Sequence, residues 1–330
     1  MRGRSYTGSM REFALLKHIF AGNPRLPGSV VIPPGDDMGG VRLVGGGGGR
    51  DIILAGVDQL VDGRHFRLRT TPIELIGRKA ITRCLSDAAA MASQPFATLV
   101  AAVLPPNFGE ERANALFDAM RATCEQYESP LIGGDIAFHS SPEHPLTIST
   151  TVLAVPAGRK AATRNGAQVG DAVFVTGPLG GSLQPDGLGR HLTFEPRIKL
   201  AIEICRTLGD DRLHAMIDIS DGLGRDASHI AEMSGVQIIL DAGAIPCNPN
   251  CTWKHALRDG EDYELLYCAP ASSPTNILRN EMIRIGEVVA RKSKDDPFVL
   301  VKQGQNLWTA DDLGWEHTTD AQRDAAGGVP

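Results

Sequence analysis

Short segments of this 330-residue chain set carboxylates beside glycines or other small residues. They are Gly35-Asp36-Asp37, Val57-Asp58, Leu85-Ser86-Asp87, Gly133-Gly134-Asp135, Asp218-Ile219-Ser220-Asp221-Gly222 and Gly260-Glu261-Asp262. Aspartate is poor in strand interiors. Its place after DIILAGV and within MIDISDG therefore points to strand ends that serve a site. Carboxylates gathered at such ends repel one another, and hard cations relieve that repulsion. Mg²⁺ takes oxygen ligands and keeps positions open for waters and phosphate oxygens. The chemistry suggested is that of a nucleoside triphosphate, where Mg²⁺ bridges protein carboxylates to phosphates.

Each segment also has an ordinary explanation. Gly35-Asp36-Asp37 follows two prolines and suits a plain turn. Asp87 could pair with Arg83 one helical turn away. Ser220 or Asp221 could cap the helix that follows. Gly133-Gly134-Asp135 is a common turn composition. The inference rests on their joint occurrence.

The elements that must position these residues alternate in type. Residues 10–21 carry Phe13, Leu16 and Phe20 on one helical face. Asp51–Val57 reads as a strand. Thr71-Pro72-Ile73-Glu74 is a capping box that starts a helix running to about Ser93. Strands follow at 96–104, at 131–132 (ending in Gly-Gly-Asp) and at 146–155, with a helix at 110–127. The second half offers strands at 172–176, 216–219, 236–240, 263–268 and 298–301, with helices at 196–208 and 221–233. The Gly45–Gly49 run is a connector, since no Gly-Lys-Ser/Thr follows it. Interleaved strands and helices in both halves predict two α/β domains with α+β character. The expected division is a lead at 1–9, domains at 10–155 and 156–317, and a disordered tail at 318–330.

Composition narrows the function. About 150 residues per domain fits two domains here. The chain carries 33 basic and 39 acidic side chains, a formal charge of −6, which argues against nucleic acid or an anionic membrane as partner. No apolar run reaches the ~18 residues of a membrane span. The N-terminus lacks the apolar core of a secretory signal. Of the six cysteines only Cys247 and Cys251 lie close in sequence, without a second pair to complete a zinc signature. Reduced thiols in a cytoplasmic protein are expected.

Taken together, the segments resemble thiamine-monophosphate kinase, of the AIR-synthetase-like ATP-binding superfamily. They stand here as PPGDD, VDQLVDGRHF from Val57, KAITRCLSDAAAMASQP from Lys79, LIGGD, TRNGAQVGDAVFVTG, MIDISDGLGRDASHIAEMSGV, DGEDYELLYC, IGEV and GWEH. They run in the family's order over roughly residues 11–317; IDISDGL and GEDYEL are the specific ones. The resemblance implies an amino-terminal domain that dimerises through its sheet and a carboxy-terminal α/β domain beside it. It implies transfer of phosphate from ATP to thiamine monophosphate, with several Mg²⁺ ions in place of a Walker loop. Carried over, the metal positions are Asp37, Asp58, Asp87, Asp135, Asp218 and Asp221. Gly134, Arg164 and Ser220 would meet the nucleotide. His65, Glu261 and Trp315 would meet thiamine phosphate. Arg164 offers a planar donor fork to phosphate oxygens and charge stabilisation. Trp315 offers a π-face, and Glu261 a counter-charge, to a thiazolium cation.

The chain departs from the family pattern at several hydroxyls. Gly56-Val57 stand where Ser-Thr is usual, Cys84 where Asn is, and Ile136-Ala137 where Thr-Thr is. Two alternatives follow. One is another ATP-dependent enzyme of the superfamily with a different acceptor. The other is a nucleotide-binding homologue without catalysis.

Overall fold

The computed structural model describes residues 15–16, 26–43, 51–273, 282–311 and 313–315. Apart from the helical pair at 15–16, the helix expected over 10–21 lies outside the described residues. So do the Gly45–Gly49 connector, the lead at 1–9 and the tail at 318–330. Among the described residues, no helix is long and apolar enough to cross a membrane.

The first sheet holds β1 (Val30–Ile32), β2 (Gly39–Arg42), β3 (Ile52–Val61), β4 (Ser93–Leu104), β5 (Leu131–Phe138) and β6 (Thr147–Pro156). Their order is β1-β2-β3-β6-β4-β5. Only β4 and β5 run parallel; the other pairs are antiparallel. Burial along β6 alternates residue by residue, with Ile148, Thr150, Val152 and Ala154 inward. That alternation marks a sheet covered on one face. The cover is helix α1 (Ile73–Ala90), with α2 (Glu110–Gln126) packed against it.

The second sheet holds β7 (Asp171–Val175), β8 (Ala215–Asp218), β9 (Gln237–Asp241), β10 (Leu265–Pro270), β11 (Ile283–Val289), β12 (Val299–Gln303) and β13 (Asn306–Thr309). Their order is β13-β12-β9-β11-β7-β10-β8. Helices α3 (Ile198–Leu208), α4 (Leu223–Ser234) and α5 (Trp253–Arg258) complete this half. β7 is buried at every position, as a central strand covered on both faces must be.

Helix α1 joins the halves. It packs on β3, β4 and β6 of the first sheet, and on α3 and β8 of the second half. One apolar cluster accordingly runs from Leu54 and Ile81 through to Phe174 and Tyr267. Gly77 lets α2 approach: a Cβ there would lie 2.6 Å from the Leu116 carbonyl oxygen and 2.9 Å from Ala119 Cβ.

Several expectations need correction. Helix α1 begins at Ile73 with Pro72 at its N-cap, and no side chain caps it. Thr71 Oγ1 instead accepts a bond from the Arg67 amide at 3.2 Å, so the capping box does not form. The strand expected to end in Gly-Gly-Asp continues through it to Phe138. Gly134 is required there by close approach rather than by a turn. A Cβ would sit 1.8 Å from the Val100 carbonyl oxygen on β4. Asp58 lies inside β3 rather than after it, and Asp87 lies in the last turn of α1. Strands β1, β2, β11 and β13 and helix α5 are further elements, mostly too short to show a period.

Gly77→Ala should lower stability. Alanine favours a helix by about 1 kcal/mol, but overpacking costs ~1–3 kcal/mol, and here the nearest obstacle is backbone. A lower melting temperature in a thermal denaturation scan is expected.

Candidate active site

The carboxylates at the centre do converge. Asp218 closes β8, Asp87 comes from the end of α1, and Asp37 precedes β2. One ligand oxygen from each lies within 4.8 Å of the others. Asp58 pairs across the sheet with inward-facing Thr150, so it shares the helix-facing side. Ser86 Oγ donates to Asp218 Oδ2 at 2.6 Å. Burial, with the charge of Asp37 beside it, raises the Asp218 carboxyl to about 7. Burial also pushes Asp87 well above the carboxylate range, with Asp58, Asp218 and Asp37 adding. Both shifts arise because carboxylates are buried together with little positive charge beside them.

Arg164 supplies part of that charge. Its Nη2 donates to Asp37 Oδ1 at 2.7 Å, its Nη1 to the Gly35 carbonyl at 3.3 Å, and its amide to Asp36 Oδ2 at 3.1 Å. Asp36 is raised to about 6, first by burial and then by Asp37. Asp37 Oδ2 and Arg164 Nε are buried with no hydrogen-bond partner. One free acceptor faces the cluster and one free donor stands beside it.

Asp221, Asp226 and His229 form a second group, again within 4.8 Å. Gly222 is the N-cap of α4 and brings no side-chain cap of its own. The acceptor is Asp226 Oδ2, which takes the Asp221 and Gly222 amides at 3.1 Å each. The Ser220 carbonyl accepts from Glu261 N, and the Asp221 carbonyl from Trp315 N. The IDISDG loop is thus braced by both segments expected to meet the acceptor.

His65 and Glu261 meet through a residue the sequence reading left without a role. Lys79 is fully buried. Its Nζ donates to the His65 carbonyl at 2.8 Å, to Glu261 Oε2 at 2.5 Å and to His191 Nδ1 at 2.6 Å. Burial lowers the Lys79 ammonium to about 8, with Glu261 opposing. Burial alone would raise Glu261, but Lys79 chiefly holds it well below the carboxylate range. Glu261 and Tyr263 both have positive φ, 57° and 54°. Such backbone costs ~1–3 kcal/mol per residue. The loop is pinned by Glu261 N on Ser220 O and Tyr263 N on Ile219 O.

The remaining carboxylates of GEDYEL hold the scaffold. Glu264 is fully buried and accepts from Arg197 at 2.6 and 2.8 Å, from Arg190 at 3.2 Å and from Thr176 Oγ1 at 2.7 Å. Asp262 accepts from the Gly180 amide and from Ser182 Oγ. The helical spacing of Lys79, Arg83 and Asp87 was a legible signal for one face of α1. Arg83 faces Asp58, with Nε 3.6 Å from Oδ2, rather than pairing with Asp87. Nothing in the sequence joined His191, Arg190 or Arg197 to the site.

Gly134 and Asp135 stand apart from this cluster within one chain. Asp58, Thr150, Val100 and Gly134 form a row across β3, β6, β4 and β5. Paired residues share a face and neighbours alternate, so Asp135 points to the opposite face, on the far edge strand. Alternation also sorts the missing hydroxyls. Val57 points away from the cluster, whereas a Cβ on Gly56 would lie 3.4 Å from Asp87 Oδ2.

The fold and the first half define the class. Residues 35–155 match the family described as AIR synthase related protein, N-terminal domain. The chain resembles a solved AaThiL complexed with AMPPCP and TMP at a TM-score of 0.75. Identity is 27%, and the match covers 96% of this chain and 99% of that one. A structure of the hydrogenase maturation protein HypE in complex with ATP has a TM-score of 0.64 at 17% identity, which shows the fold alone. Thiamine-monophosphate kinase of Rhodopirellula baltica is 34% identical over 252 residues, 72% of this chain and 76% of that protein. That of Mycobacterium tuberculosis is 31% identical over 328 residues, 92% and 91% of the two chains. The chain belongs to the thiamine-monophosphate kinase family.

Glu264→Ala should cost about 3 kcal/mol, the low end for breaking a buried pair, because both arginines keep some access to water. Urea unfolding should show the loss.

Proposed function

We propose that this chain transfers the γ-phosphoryl group of ATP to the phosphate of thiamine monophosphate, giving thiamine diphosphate and ADP. Family membership supports the reaction. The convergence of Asp37, Asp87 and Asp218 carries the reading of how it is done. Lys79, Arg83 and Arg164 stand near a richer set of carboxylates, and a site for two polyanions needs positive charge. The unpartnered Asp37 Oδ2, with carboxylate oxygens of Asp87 and Asp218 within 4.8 Å, fits a hard divalent cation. Asp37, Asp58, Asp87, Asp218 and Asp221 would hold Mg²⁺. Held by these residues, Mg²⁺ would supply positive charge against that of the phosphates.

The chain's own side chains do the rest. The acceptor is a phosphate monoester with a second pKa of ~6, already mostly dianionic at pH 7, so no general base is required. Unit charges 4 Å apart repel by ~4 kcal/mol at an effective dielectric of 20. Arg164 turns its fork to the nucleotide phosphates and helps cancel that repulsion. Ser220 sits at the nucleotide. His65 and Glu261, held together by Lys79, meet thiamine phosphate, and Trp315 faces the cationic ring.

The two sheets support a division into domains at 10–155 and 156–317. A homodimer through the first sheet would cover its open face and edge. Val57 is 64% exposed there, Ile132 61% and Phe138 69%. Gly134 and Asp135 would then serve a site only across that interface. The unpaired cysteines support a cytoplasmic setting.

Asp58→Asn and Asp221→Asn, made separately, should each lower kcat about 100-fold or more at saturating Mg²⁺ in a thiamine diphosphate assay. Near-normal turnover by both would remove the metal-cluster mechanism. Glu261→Ala and Lys79→Met should each raise the acceptor KM by ~10–100-fold and leave that of ATP nearly unchanged. Lys79 keeps its proton at pH 7 and loses it as pH rises past about 8. Wild-type acceptor KM should therefore climb above pH 8, and a flat profile would refute the Lys79–Glu261 link.

A further inference from the structure

Arg83 stands between the two halves of the site. It follows Lys79 by one turn of α1 and precedes Asp87 by one more, so the three lie along one helical face. Its charged and polar neighbours include Asp58 and Asp87 on the carboxylate side, Glu261 and Tyr263 on the other, and the Lys79 ammonium one turn back. The side chain is 14% exposed. Nη1 donates to the Gln59 carbonyl at 3.1 Å, which fixes one arm of the guanidinium. Nε is buried and has no hydrogen-bond acceptor. The Asp58 carboxylate, at 3.6 Å from it, is too far for such a bond.

A buried N–H without an acceptor costs free energy. Its pair with Asp58 stays open at 3.6 Å and leaves that N–H without a hydrogen bond. The group is held by a backbone carbonyl between the Asp58 and Asp87 carboxylates and Glu261, the two parts of the site that the reading above gives to metal and acceptor. A guanidinium suits phosphate oxygens, which it engages with two parallel donors.

Building on the phosphoryl-transfer reading above, we infer that Arg83 is a further catalytic residue: its guanidinium binds the phosphate of the acceptor. In the step, an oxygen of that phosphate forms a bond to the γ-phosphorus. The bond from the γ-phosphorus to the β–γ bridging oxygen breaks, and its electron pair leaves on ADP. Arg83 gives up no proton; it holds the attacking phosphate in line and shields it from the departing charge.

The test compares thiamine monophosphate with thiamine as ligands, by calorimetric titration in Mg²⁺ buffer, for the wild type, Arg83→Gln and Arg83→Lys. The wild type should prefer the monophosphate. Arg83→Gln should lose roughly 10–100-fold of that preference, with thiamine binding unchanged and kcat lowered about 100-fold. Arg83→Lys should recover only part, since an ammonium cannot fork. Melting curves identify any variant that fails to fold, and Arg83→Lys then carries the comparison. If the variants keep the preference within twofold, Arg83 is structural and the inference is wrong, whatever the melting temperature does. If the wild type itself neither binds nor phosphorylates thiamine monophosphate, the acceptor reading falls and this assignment falls with it.

Discussion

Like charges resist being buried together, and this molecule buries them at its centre. Asp37, Asp87 and Asp218 are drawn within 4.8 Å by elements from both halves of the chain. Each strand or helix that brings a carboxylate must be held by something stronger than the repulsion. The apolar cluster around α1 does that, running from Leu54 to Tyr267. Protonation, Arg164 and Ser86 relieve part of the strain in the absence of a further cation.

A second polar network does a different job with the same residue types. Glu264 and Asp262 are saturated by Arg190, Arg197, Thr176, Ser182 and backbone amides. A network satisfied to that degree fixes loop positions, with Arg190 Nε left unmet. It supports the unusual backbone at Glu261 and Tyr263. The central cluster leaves atoms unmet, whereas the scaffold network meets nearly all of its own. That contrast separates a site that receives a ligand from one that holds a loop.

Much of this was legible in the sequence, for physical reasons. Long periodic elements such as α1 and β6 announce themselves through repeated burial. The aspartate segments pointed to a carboxylate cluster because few other demands place carboxylates beside apolar runs, and Asp37, Asp87 and Asp218 do converge. The failures have causes too. Gly133-Gly134 reads as a turn, yet Gly134 serves a close passage between β4 and β5. Thr71 carries a capping signature, yet its hydroxyl is spent on Arg67. Lys79 finds its partners across more than a hundred residues of chain, at His191 and Glu261. No local pattern encodes such a meeting.

Lys79, Arg83 and Asp87 are spaced so that they ride one rigid rod. A tilt or slide of α1 moves all of them at once, a cation one way on Glu261 and an anion the same way on Asp218. The Lys79–Glu261 pair and the carboxylate cluster therefore cannot drift independently. Their alignment is set by how α1 is seated, so a packing change at Gly77, against α2, is felt as a change of gearing between these two groups.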